Sequence, residues 1–469
     1  MPAYSDPMLQ PILFAVVALL GFGYGAYQFS ILRRRVLLGR DEPMPAAPAE
    51  RWRNTLLIAF GQKKMFKRWI PAVLHLFIYV AFLFTQIELV EIIVDGLTAG
   101  HRTFVGALGG LYTVILNTIE VLSVLALFAT VVFLIRRNAL YIPRLRKPEL
   151  KGWPHKDANI ILYLEIVLVL AIITMNGTDV VLQGRDPLHY PETGTLAVST
   201  WLGPLLFGGM ETGTLQVLER VGWWVHFLVV LAFLNYLPIS KHLHILFAFP
   251  NTYWARLRNQ GEMTNMPEVQ KEVQSMMDPE AAFEEEDPNA PLPTFGAKDV
   301  TDLSWVDTLG AYACTQCGRC TAVCPANLTG KKLSPRKIMM DIRSRCEEVG
   351  TKIDSGDTQY ISSEAVIPEG EPAVLTKDNF DDGKSLFDYI TKEELHACTT
   401  CQACVEACPI NINPLEPITR MRRYEILTEG AGPQDWLPMF TAIENGGSAW
   451  AIADPRDKWA EEVEEAGAA

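Results

Sequence analysis

Hydrophobic positions are distributed unevenly along the chain: long unbroken runs fill the first 250 residues, and beyond them apolar and charged residues alternate at short range. Five runs are apolar enough to cross a bilayer, whose hydrocarbon core of about 30 Å takes roughly 20 helical residues. They extend from Met8 to Phe29, Trp69 to Val94, Leu111 to Ile135, Asn159 to Leu182 and Gly222 to Phe247. The first is too long for a signal-peptide core and lacks both a basic start and a small-residue cleavage site, so it is expected to stay as a helix. The stretch from Leu196 to Met210 is interrupted by Pro204 and several glycines. It predicts an outer re-entrant or interfacial segment rather than a sixth span.

Loop charge orients these spans. The first interspan loop carries Arg33, Arg34, Arg35, Arg40, Arg51, Arg53, Lys63, Lys64, Lys67 and Arg68, and the third carries Arg136, Arg137, Arg144, Arg146, Lys147, Lys151 and Lys156. The other two loops hold only Arg102 in one and Arg185 and Arg220 in the other. Basic loops stay in the cytoplasm, which puts the N-terminus outside and the polar half inside, at an inner membrane. The net charge of -13 argues against nucleic acid as a partner. The expected organisation is a membrane domain over residues 1–250, an acidic linker over 251–297 containing Glu284-Glu285-Glu286-Asp287-Pro288, a soluble domain over 298–430 and an acidic tail over 431–469.

Eight of the nine cysteines change the picture, because they fall into two copies of one pattern: Cys314, Cys317, Cys320 and Cys324 before Pro325, and Cys398, Cys401, Cys404 and Cys408 before Pro409. This is C-x2-C-x2-C-x3-C-P twice, the bacterial ferredoxin signature for two [4Fe-4S] clusters. In that arrangement the fourth cysteine of each run crosses over. Cys314, Cys317, Cys320 and Cys408 are therefore assigned to one cluster, and Cys398, Cys401, Cys404 and Cys324 to the other. Zinc sites more often use two separated ligand pairs, and disulfides would need an oxidising compartment. Cys346 lies outside both runs and is expected to be an ordinary thiol.

Histidines mark a second centre. His226, His242 and His244 lie in or at the inner end of the fifth run, and His75 lies in the second. Two histidines on facing helices can hold a haem b, although a histidine between helices can also be a hydrogen-bonded structural group. On one continuous helix, His226 and His244 are 18 residues apart, five turns of 3.6, and share a face, with His242 pointing away. Pro238 can kink that helix. His75 comes about two turns into its span, roughly 10 Å deep, so it matches His244 rather than the outer His226. His226 and His244 would stand about 27 Å apart along the helix, and His226 has no evident histidine partner. Glu88, Glu91 and Glu120 share the depth of His226, with Glu165 nearer the inside. They suggest a proton path or quinone pocket, or else a structural hydrogen-bond network.

Five spans, His75, Trp223-Trp224-Val225-His226 and Lys241-His242-Leu243-His244 resemble the nitrate reductase gamma subunit and the membrane cytochrome b of heterodisulfide reductase. The doubled cysteine run resembles the two-cluster iron-sulfur polypeptide of heterodisulfide reductase, its C-type component. The resemblance implies a mainly α fold: a five-helix transmembrane cytochrome b bundle followed by a cytoplasmic α-helical ferredoxin-like domain with two [4Fe-4S] clusters. It also implies an inner haem b on His75 and His244. The nitrate reductase protein has a second histidine on its second helix for an outer haem, and this chain has Thr85 and Gln86 there. The implied role is an oxidoreductase's electron-transfer subunit, linking a membrane quinone to a soluble partner, either heterodisulfide reductase B/D-like or an electron-transfer flavoprotein. A redox sensor or scaffold is the alternative from another class. Dinucleotide-binding, P-loop and nucleophile-elbow motifs are absent, as are paired Cys-Cys-Gly motifs, so substrate conversion is expected on another chain.

Overall fold

The computed structural model describes residues 9–259, 261–277, 295–365, 367, 372–450 and 457–467. Helices dominate; among the described residues the only β pairings are two isolated bridges, Arg40 with Ser304 and Ile361 with Phe380. Five helices are long and apolar enough to cross a membrane: Leu9–Val36, Trp69–Thr98, Gly110–Asn138, Trp153–Gln183 and Thr212–Ile239. The second packs on the third, the third on the fourth and the fourth on the fifth, while the first closes the bundle against the fifth and second. Apolar burial cannot drive helices together in lipid, so small residues that admit close approach do the work. A Cβ on Gly96 would come 2.6 Å from the ring of Phe14. The short helix Ser199–Phe207 lies on the fourth span, where Gly203 meets the backbone of Gly177.

The first span continues past its expected end at Phe29 to Val36, because its basic last turn docks on the cysteine-bearing half. Arg34 pairs with Asp354 at 2.9 Å, and the Thr308 hydroxyl donates to the Val36 carbonyl at 2.6 Å. Leu32, Val36, Leu38, Leu237 and Leu243 enter the same core as Leu303, Leu309, Ile338 and Ile342. The membrane bundle and the cysteine-bearing half therefore share one apolar core.

The fifth span corrects the sequence expectation. Its α-helix ends at Tyr236, followed by single 3₁₀ turns at Leu237–Ile239 and Lys241–Leu243 and a new helix, His244–Tyr253. Pro238 lacks the amide needed to continue the ladder. Asp157 at the start of the fourth span secures the break, accepting from Tyr236 Oη at 2.7 Å, Ser240 Oγ at 2.6 Å and Lys241 N at 3.0 Å. Arg343 of the soluble half donates to the Pro238 and Ser240 carbonyls at 3.0 and 3.2 Å. His226 and His244 thus lie on different helices, and their shared-face argument fails. The acidic run 284–288 lies outside the described residues; Pro267–Met277 before it is helical.

Candidate redox centres

The two cysteine runs adopt the same turn. Helix Trp305–Ala313, started by a Ser304/Asp307 capping box, ends at Cys314 in extended geometry. Two left-handed residues then curl the chain, Gln316 at φ 56° and Gly318 at φ 70°; Thr400 at φ 55° and Gln402 at φ 60° occupy the same positions of the second run. The first sulfur of each run accepts a backbone N–H, from Gln316 and Thr400 respectively, at 3.4 Å, and Cys408 Sγ accepts from Ile412 N at 3.3 Å. In the first run a Cβ at Gly318 would press on the end of the Arg336 guanidinium, whereas the second run accommodates Gln402 at the same position.

Cys408 lines one small cavity together with Cys314, Cys317 and Cys320. Cys324 in turn lies within electrostatic reach of Cys398 and Cys404. Among the described residues, no three His, Cys, Asp or Glu side chains converge on a single ion. Four cysteines around one cavity are a ligand set that a polynuclear cluster could use. Burial pushes Cys314 up to about 11 and Cys404 and Cys408 up to about 12, so loading with iron must displace thiol protons. Cys346 is fully buried in helix Pro335–Ser355, on a different element from either ring.

The first ring faces the membrane bundle. Arg319, between Cys317 and Cys320, donates to the Lys64 and Met65 carbonyls at 3.2 and 3.3 Å, just ahead of the second span. Arg144 donates to the Cys317 carbonyl, and Lys147 to Asn327 at 2.8 Å. Both basic interspan loops therefore touch the cysteine-bearing domain. The second ring opens outward, with Thr399, Thr400 and Cys401 exposed.

Three histidines gather on the same side of the bundle. The rings of His75 and His244 are 6.2 Å apart between centroids, and His242 lies 5.7 Å from His244. Two imidazole nitrogens each about 2.0–2.1 Å from one metal place their ring centres roughly 6 Å apart, so the first pair can flank an iron. His242 and His244 sit two residues apart on one turn and cannot approach a planar macrocycle from opposite faces. Burial pushes His244 down and, aided by His244 and His75, pushes His242 down to about 3, leaving both as neutral imidazoles able to ligate.

The end of the bundle away from the cysteine rings holds a separate buried network. Arg102 reaches Glu88 at 3.6 Å, Glu91 at 3.9 Å and Asp179 at 3.7 Å. Tyr112 donates to Glu91 at 2.7 Å, His101 pairs with Asp179 at 2.7 Å, and Glu120 accepts the Val198 and Ser199 amides at 2.8 and 3.2 Å. Glu88 and Glu219 make no hydrogen bond among the described residues, and neither does Nδ1 of His226, which is 1% exposed. Arg102 stands out in the sequence only as loop charge, and His101 does not stand out. Their signal was adjacency: a His-Arg pair joins two spans that both carry carboxylates.

A family model for 4Fe-4S dicluster domains matches residues 313–413, which contain all eight cysteines of the two runs. The chain is 27% identical to the probable iron-sulfur-binding oxidoreductase FadF of Bacillus subtilis, over 96% of this chain and 61% of that protein. It is 23% identical to the EtfAB:quinone oxidoreductase of Syntrophomonas wolfei, over 86% of this chain and 53% of that one. A probable membrane-anchored ferredoxin of Chromohalobacter salexigens is 38% identical over 32% of this chain and 21% of its own length. The chain thus spans between about half and six-tenths of the first two relatives. No solved structure matches it. The chain joins a bundle of five helices long and apolar enough to cross a membrane to a domain that matches the 4Fe-4S dicluster family.

Proposed function

We propose that the chain is the membrane subunit of an oxidoreductase and relays electrons between a membrane quinone and a soluble partner. Its carriers are two [4Fe-4S] clusters, on Cys314, Cys317, Cys320 and Cys408 and on Cys398, Cys401, Cys404 and Cys324, and one haem b on His75 and His244. These groups supply one-electron steps into which the two-electron quinone reaction is divided. The single observation that carries the reading is the setting of the His75/His244 pair, beside a loop whose carbonyls are bonded by Arg319 of the first cysteine ring.

The protein's own groups define a direction across the molecule. His75 and His244 occupy the membrane side, the Cys408-containing ring lies against the basic loops, and the Cys401 edge faces solvent. Basic loops on the side of the soluble domain support a cytoplasmic location for it, over residues 298–430, with the bundle over 1–250. The relative that acts as an EtfAB:quinone oxidoreductase supports an electron-transfer flavoprotein as the partner at the Cys401 edge. The test is a visible and paramagnetic spectrum of the purified full-length chain, before and after addition of a quinol and of a reduced flavoprotein. The expected result is b-type absorbance and two clusters, reduced by the flavoprotein. A protein without b-type bands would remove the haem, and clusters that neither donor reduces would leave a scaffold.

A further inference from the structure

Only two of the three clustered histidines have Nδ1 engaged. Nδ1 of His244 lies 3.2 Å from the Lys241 carbonyl oxygen. A carbonyl can only accept, so that nitrogen carries the proton and Nε2 keeps its lone pair. Nδ1 of His75 lies 3.2 Å from Oε1 of Gln62. His242 Nδ1 has no hydrogen-bond partner among the described residues. The two rings with an acceptor behind them are also the two that face each other across 6.2 Å from opposing elements.

Gln62 is itself held in place. It is 5% exposed, and its backbone sits at φ 49°, a left-handed conformation that residues other than glycine adopt uncommonly. The π-helical turn Leu56–Phe60 leads into it, Lys63 N donates to the Leu57 carbonyl at 3.1 Å, and Met65 N donates to the Gln62 carbonyl at 2.8 Å. Residues held in such backbone regions persist where surrounding contacts fix them, often beside functional sites. A buried glutamine so constrained presents one fixed group to the histidine.

We propose that Gln62 is a positioning residue for iron ligation: its side-chain oxygen accepts the Nδ1 proton of His75 and leaves Nε2 bare toward His244. The acceptor behind a ligating histidine fixes its tautomer and sets its basicity, and through that the potential of the bound metal. This inference rests on the haem reading above and extends it to a residue that touches no iron.

The test is a redox titration of b-type absorbance in the detergent-purified full-length protein, comparing the unsubstituted chain with Gln62→Glu and Gln62→Leu. A carboxylate pulls harder on the Nδ1 proton, makes the ligand more electron-rich and stabilises the oxidised iron, so Gln62→Glu is expected to lower the midpoint potential. Gln62→Leu removes the acceptor and is expected to raise the potential or reduce haem occupancy. Cluster iron per chain should match the unsubstituted protein in both, which also reports folding. Unchanged potentials and occupancy, or equal shifts of the same sign, would overturn the positioning role. Absence of b-type absorbance from the unsubstituted chain would overturn the haem reading first, and the inference with it.

Discussion

At the scale of single residues, the cysteines were legible and their supports were not. A C-x2-C-x2-C-x3-C-P run names candidate ligands by type and spacing, and the matched dicluster family spans all eight of them. Gln62, Arg319 and the His101-Arg102 pair matter only through what they touch across more than one element, and no periodicity announces that. Cys408 tests the crossed arrangement. It shares a cavity with Cys314, Cys317 and Cys320, so Cys408→Ser should abolish one of the two cluster signals and leave intact the one whose ligands include Cys398. Loss of the Cys398 cluster instead would sink the crossing. Cys346→Ala, in the core but on neither ring, should leave iron per chain unchanged while lowering stability by a modest amount, about 1 kcal/mol. The histidines separate equally sharply. His75→Ala or His244→Ala should bleach b-type absorbance and His242→Ala should preserve it, because only the first two face each other from opposing elements. Bleaching by His242→Ala alone would move the ligand two residues upstream.

Whole elements were read well where apolar length alone decides them. The second and third spans fall within a few residues of their expected limits, while the fourth starts at Trp153 and the fifth at Thr212, earlier than their apolar runs, because a helix can extend into polar residues at either end of the hydrocarbon. The fifth failed at its inner end for a local reason: Pro238 removes a donor, and Asp157 and Arg343 bind the groups the break releases. Those partners lie about 80 and 100 residues away in sequence, beyond the reach of any helical-wheel argument. The loop from Gly61 to Lys67 touches both candidate centres. Gln62 faces His75, the Lys64 and Met65 carbonyls hold Arg319, and Lys64 and Lys67 pair with Glu406 of the second cysteine run. Arg319→Ala deletes charged hydrogen bonds to two carbonyls and should cost about 1.5–3 kcal/mol of stability. All cofactors should remain, while the rate of exchange between b-type absorbance and the cluster signals falls. A stopped-flow trace with an unchanged rate would show that the loop is scaffolding and no more.

Across the whole molecule, the proposed quinone reaction raises the question of which end of the bundle would hold it. The network at the end away from the cysteine rings buries several carboxylates against few cations: Arg102 is shared among Glu88, Glu91 and Asp179, and Glu219 has Arg220 at 3.7 Å and His101 at 3.9 Å. Removing such charges from water is offset only by close pairing, which makes a purely structural role for all of them expensive. Yet the network and the histidine trio stand at opposite ends of the bundle, and among the described residues no ring contact joins His226 to a second histidine. Electrons from a site at the far end would need a further carrier to reach His75 and His244. The inner side needs none, because His75, His244 and the first cysteine ring already adjoin one loop. Quinol-driven cluster reduction should therefore survive Glu88→Gln and His226→Ala within about twofold, a free-energy change of roughly 0.4 kcal/mol. Arg102→Ala serves as the structural control. Stripping the shared cation from buried carboxylates should cost about 3–5 kcal/mol and lower the melting temperature without touching the b-type spectrum. If Glu88→Gln and His226→Ala each abolish quinol-driven reduction while that spectrum and the melting temperature hold, the quinone belongs in the outer half, and the buried carboxyls there become its proton donors and acceptors.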